Sequence, residues 1–152
     1  MINVYGMKTE SDGPYAYEDF LHEEGAPRIL RRDNAKMQCG DKLLSINRQF
    51  CIGDGYTEPY HPQQNPAELN AVRWLKTHTQ VILDRSGAPE YVWLECAKWL
   101  ADVHNIVADE SLGWHSPLEH RHGITPDISA YIIFSFWEPV YFLRTHHATS
   151  TF

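Results

Sequence analysis

"YHPQQNPAELNAVRWLK", residues 60–76, passes from a turn-rich polar run into a helix, with one carboxylate, Glu68, at the change. Asn65 is placed to cap that helix, and Pro66 to take its first position, where a missing N–H is harmless. The apolar spacing of Val72, Leu75, Thr79 and Ile82 carries the helix to about Asp84 and leaves Arg73 and Lys76 on a separate face. Just upstream, "DGYTEPY" reads as a short strand at about 55–59. A strand, a polar loop and a helix in that order form the repeating unit of an α/β fold.

The elements on either side continue the alternation. "INVYGMKT" reads as a strand over residues 2–8, and "PYAYEDFLHEEG" as a helix with Tyr17, Phe20 and Leu21 on one face and Gly25 as its stop. "APRILRRD" gives a buried strand around Ile29 and Leu30, ending at Asp33. "GDKLLSINRQFCI", residues 40–52, has Leu43, Leu44, Ile46 and Phe50 at near-helical spacing, with Asp41 as a possible cap. After "SGAP", a second long helix spans 89–107 with Val92, Trp93, Cys96, Trp99, Leu100 and Val103 as its stripe. A short helix near Pro117–Arg121 and a strand-rich run, "ISAYIIFSFWEPVYFLR", complete the chain. The expectation is an α/β core over residues 1–108 with some parallel pairing, then a connector and β-rich tail over 109–152.

Hydrophobic residues make up 43% of the 152 and charged residues 22%, which suits a packed domain and not a disordered tail. The formal net charge of −7 repels polyphosphates, so any nucleic-acid contact must come from a local basic patch. Cys39, Cys51 and Cys96 are odd in number and form no CxxC pair, so neither a disulfide framework nor a zinc knuckle is suggested and a reducing compartment fits best. The N-terminal residues lack a signal-peptide pattern, and no apolar run approaches the roughly 18 residues of a membrane span.

Asp33 stands where a strand ends, and Glu68 within the first turn of a helix that follows the next strand. That edge of an open α/β sheet is where ligands collect. Two carboxylates brought together repel unless a divalent cation sits between them, and Mg²⁺ takes such oxygen donors. A pair of these ions about 4 Å apart can activate a nucleophile and stabilise a leaving oxygen in phosphodiester chemistry. The plain alternative for Glu68 is stabilisation of the helix dipole.

The segments "GAPRILRRDNAKMQ", "EPYHPQQNPAELNAVRWLK", "RSGAPEYVWLECAKWLADVHN" and "HSPLEHRHGITPDISAY" occur in an order that resembles the integrase of copia-type long-terminal-repeat retrotransposons. The resemblance covers most of the chain. It implies an RNase H-like fold whose Asp-Asp-Glu triad binds Mg²⁺ or Mn²⁺ and joins element DNA to target DNA. By position, Asp33 matches the second Asp of that triad and Glu68 the Glu, while Asn34, Gln64 and Asn65 match its polar neighbours. Arg73 and Lys76 fall on a helix that approaches DNA in the family, and Arg28, Arg31 and Arg32 would add to that basic patch. The resemblance also implies homo-oligomerisation through the core, and a location in the nucleus or in a cytoplasmic virus-like particle.

The chain departs from the family pattern at its start. Only 32 residues precede Asp33, and they hold one strand and one helix, so the first two strands, the first Asp and the His/Cys zinc module of the family have no counterpart. Asp12, in the turn "SDGP", does not replace that Asp. Two carboxylates in place of three imply poor metal affinity and a chain that does not transfer strands alone. The competing reading is a non-catalytic domain that binds nucleic acid or protein. Elsewhere, His115, His120 and His122 read as solvated loop residues, Cys96 as a packing residue, and Trp74, Trp93 and Trp99 as core.

Overall fold

A computed structural model describes residues 1–32, 40–56 and 66–141 of the chain, with Tyr56 and 66–69 described in backbone only. The elements are α1 (Gly13–Glu24), β1 (Ile29–Arg32), α2 (Asp41–Gln49), β2 (Gly53–Tyr56), α3 (Pro66–Ser86), α4 (Trp93–Ile106), α5 (Pro117–His122) and α6 (Ser129–Ile133). Short 3₁₀ turns precede α1 and α4. The fold is mixed α/β and mostly helical, around a small parallel sheet.

β1 and β2 pair in parallel, with Ile29 opposite Gly53 and Arg32 opposite Tyr56. Side chains alternate between the faces of a strand, so Leu30 and Arg32 share one face and Ile29 and Arg31 the other. The first face is covered: Leu21 of α1, Ile46 of α2 and Ile52 form a buried cluster, with Tyr17, Phe20 and Leu30 packed against it. Among the described residues no apolar cluster covers the second face, where Ile29 is 54% exposed. α1 stops as the sequence suggests, at Gly25, whose φ of 82° suits a residue without Cβ and whose N–H closes on the Leu21 carbonyl.

A second apolar cluster lies where α3 packs on α4, formed by Leu83, Val92 and Cys96 with Ile82, Ala88 and Phe136 against it. Cys96 is fully buried, as its place on the apolar stripe predicts. Other stripe positions differ from expectation. Val72 is 45% exposed and Trp93 43%, while Trp74 and Trp99 are half-buried, so the three tryptophans line the rim of the core and do not fill it.

Two strand expectations are corrected. Residues 2–8 form no strand, because among the described residues no neighbouring strand pairs with them. Their backbone is held by side chains instead. The buried Asn105 amide accepts the Ile2 N–H at 2.7 Å and donates to the Ile2 carbonyl at 2.7 Å. Asn3 donates to Glu24 and Tyr5 to Glu23, which ties the same segment to the end of α1. The segment thus bridges α4 and α1.

The expected β-rich tail is also absent among the described residues. From 107 to 141 there is one isolated antiparallel bridge, Asp109–His115, and the aromatic run forms α6 and irregular backbone. Tyr131 and Phe136 pack on Trp99, so the β-forming residues meet a helix surface and not a partner strand. The third strand is β2 at Gly53–Tyr56, earlier than the 55–59 read from sequence, and residues 57–59 lie outside the described set. At α2, Gly40 holds the cap position and Asp41 is already helical, without a side-chain capping bond.

Candidate functional site

The candidate site is the sheet edge where β1 and β2 end together. Arg32 and Tyr56, the last residues of the two strands, are register partners. Asp33 follows Arg32 in the chain, and the segment after Tyr56 leads to α3, whose third residue is Glu68. Asp33, Asn34, Gln64, Asn65 and the Glu68 side chain lie outside the described residues. Arg73 and Lys76 are described, and both stand exposed on α3 one turn apart.

Behind this edge lies a polar network that the sequence reading missed. Arg32 is 5% exposed, and its Nη2 donates to Asp54 Oδ1 at 2.8 Å. The Asn47 amide, 1% exposed, donates to the same oxygen at 2.7 Å, and the Tyr17 hydroxyl donates to Asn47 Oδ1 at 3.0 Å. Burial, and then the nearby Asp54 carboxylate, push the Tyr17 phenol above its ordinary pKa, while the Arg32 cation pulls the other way. The network joins α1, α2, β1 and β2 immediately before Asp33. Its signal in the sequence is Asn47 itself, a polar residue four positions after Leu43 on the buried face of α2.

This geometry corrects the expected basic patch. Arg28 and Arg31 are exposed and available to a polyanion, whereas Arg32 is buried on Asp54. On α3, Trp74 stacks on His78 with ring centroids 4.5 Å apart and meets His104 of α4 at 4.8 Å, so its ring belongs to the α3–α4 seam. Burial holds His104 below the ordinary imidazole range. Away from this edge, a groove between the N-terminal segment, α1 and β1 is lined by Tyr5, Met7, Tyr17, Phe20 and Leu30. Its lining is mainly apolar and offers no constellation for catalysis.

Carboxylate oxygens are the donors that Mg²⁺ and Mn²⁺ take, so Asp33 and Glu68 fit such an ion in type. Among the described residues, no group of three or more His, Cys, Asp or Glu stands close enough to hold a metal. His115, His120 and His122 are exposed, and His115 Nδ1, just before α5, lies 3.1 Å from Glu119 in its first turn. No described helix is long and apolar enough to cross a membrane.

No protein-family model matches the chain, and no curated protein matches it. Solved structures do. A chain in the cryo-EM structure of the simian T-cell lymphotropic virus intasome, in complex with PP2A regulatory subunit B56 gamma, superposes with a TM-score of 0.63 at 16% identity. The match covers 78% of this chain and 42% of that one, so the present chain spans less than half of its structural neighbour. At that identity the likeness concerns the fold alone.

Proposed function

We propose that this chain is part of the catalytic core of a copia-type retrotransposon integrase, with an RNase H-like fold, and that it contributes two carboxylates to a DNA strand-transfer site. The observation that carries the reading is the parallel register of β1 and β2, whose ends meet at Arg32 and Tyr56. The two strands end side by side, and such an edge is where α/β sheets build sites. The fold likeness to a chain of an intasome complex supports the same reading.

In this proposal Asp33 and Glu68 hold Mg²⁺ or Mn²⁺. When bound, such an ion supplies Lewis-acid stabilisation of charge on phosphate oxygens. Asn34, Gln64 and Asn65 orient the carboxylates or the DNA backbone by hydrogen bonds, and Arg73, Lys76, Arg28 and Arg31 neutralise phosphates. Such contacts overcome the net charge of −7 only locally, so binding falls steeply with salt. The Arg32–Asp54 pair, buried on the arginine side only, fixes the end of β1 from behind and touches no substrate. Element and target DNA are the partners, and the nucleus the place of action.

Isothermal titration with Mn²⁺ tests the metal site in the chain as it stands. The expected result is weak binding, in the millimolar range of a two-carboxylate site, reduced at least tenfold by Asp33→Asn and by Glu68→Gln. Equal heats in all three proteins contradict the proposal. A DNA titration of Arg73→Ala/Lys76→Ala completes the test, with weaker binding expected for every sequence and a shallower salt slope.

A further inference from the structure

α3 and α4 pack as an antiparallel hairpin whose two ends are held by different chemistry. The chain turns at Gly87, and beside the turn Leu83, Val92 and Cys96 close the seam as an apolar cluster. Further along, Cys96 Sγ reaches the Thr79 carbonyl at 3.8 Å, and further still Trp74 of α3 meets His104 of α4. Trp74 and His104 therefore stand toward the open end, about two and a half turns of α3 beyond Leu83.

Rings make the contact there. The His78 imidazole stacks on the Trp74 indole with centroids 4.5 Å apart, and its Nδ1 donates to the Trp74 carbonyl at 2.8 Å. The His104 imidazole meets the same indole from the other helix at 4.8 Å, tilted by 48°. A neutral imidazole can sit half-buried against an indole, whereas an imidazolium needs water or an acceptor on both N–H groups. His78 is exposed and has that water where it stands, while His104 is half-buried between the helices.

The surrounding groups pull in both directions. Burial disfavours the charged form of His104 most, and the amino group of Met1 adds repulsion. Asp109 favours the charged form, but its Oδ1 already accepts the Ser111 N–H and hydroxyl. The indole face also attracts a cation. Burial prevails, and His104 is held below the ordinary imidazole value.

We infer that the α3–α4 hairpin carries a proton-operated clasp: neutral His104 holds the Trp74 end of α3 on α4, and protonated His104 releases that end while the Leu83 cluster stays shut. The released half of the helix carries Ala71, Trp74 and Leu75, each half-buried when the clasp is closed. The inference is independent of the strand-transfer reading.

Amide hydrogen exchange of the full chain between pH 7.5 and 5.5, expressed as protection factors, tests it. An open form that titrates like an ordinary imidazole, at about 6.5, allows the opening constant to grow by at most about tenfold at pH 5.5. Protection of residues 72–78 should fall by about threefold to tenfold over this interval, while that of 83–86 and 97–100 holds. His104→Phe keeps a ring on Trp74 and takes no proton, so its protection should not change with pH. His78→Gln should respond like the unmodified chain. Proton resonances of the His104 ring, followed in the unmodified chain, should titrate with a midpoint below the ordinary value, a measurement that needs no variant. Four results overturn the inference: protection of 72–78 that ignores pH, a response that survives in His104→Phe, an equal fall around Leu83, or a His104 midpoint at or above the ordinary value.

Discussion

Asp54→Ala removes the carboxylate that Arg32 Nη2 meets at 2.8 Å and Asn47 Nδ2 at 2.7 Å. The side chains of this pair are 4% and 25% exposed. Taking one partner from a fully buried ion pair costs about 3–5 kcal/mol. Partial exposure of Asp54 admits water and moves the expectation to the low end, about 3 kcal/mol, of which about 1 kcal/mol is the Asn47 hydrogen bond. For a chain of this size that is a fall in Tm of roughly 6–12 °C. Asp54→Asn keeps an acceptor for both donors and loses only the charge, so about half the loss is expected. Tyr17→Phe, at the outer end of the network, should cost about 1 kcal/mol. Urea unfolding followed by circular dichroism measures all three, with an unchanged denaturant slope showing that the unfolding reaction is the same. A cost below about 0.5 kcal/mol for Asp54→Ala refutes the claim that this carboxylate holds the end of β1.

Asn105→Ala should free residues 2–7, raising their amide hydrogen exchange and lowering global stability by about 1–2 kcal/mol, because two hydrogen bonds to the Ile2 backbone go. Unchanged exchange there counts against the bridging role. Leu83→Ala opens a cavity in the α3–α4 cluster, where Leu83 is 5% exposed, and should cost about 2–4 kcal/mol by urea titration. Toward acid, the carboxyls of Asp12, Asp109, Glu119 and Asp127 all lie below their ordinary values. The leading causes are the Thr9 N–H for Asp12, the Ser111 hydroxyl for Asp109, the His115 ring for Glu119 and the Ser129 hydroxyl for Asp127. The folded form binds protons less readily at these groups than the unfolded chain does. Their stabilisation is therefore present above about pH 4 and lost as pH falls through the folded values, and Tm should drop between pH 5 and 2.5. A Tm rising over that interval contradicts the assignment.

Helices were legible because an apolar period of about 3.6 is written into each stretch without reference to the rest of the molecule. α1, α3, α4 and α5 fall where Gly25, Pro66, "SGAP" and Pro117 mark their limits. Strands were less legible, since a strand needs a neighbour. "INVYGMKT" and "ISAYIIFSFW" have the composition of strands, but one is held by Asn105 and the other lies on Trp99. The buried network escaped notice for a related reason. Arg32 beside Arg31 reads as a solvated basic pair until β1 pairs with β2 and brings Asp54 within reach. At the candidate site, Asp33 and Glu68 are readings of the sequence that lie outside the described side chains, and the structure adds the paired ends of β1 and β2.

Paramagnetic broadening by Mn²⁺ tests the central claim most directly, because it reports which amides lie near the ion. In the isotope-labelled chain, substoichiometric Mn²⁺ should broaden the amides of Arg32 and of the first turn of α3 together, at one concentration, and neither set in Asp33→Asn. Broadening of one set without the other, or broadening that survives Asp33→Asn unchanged, contradicts a shared cation site at the end of the sheet.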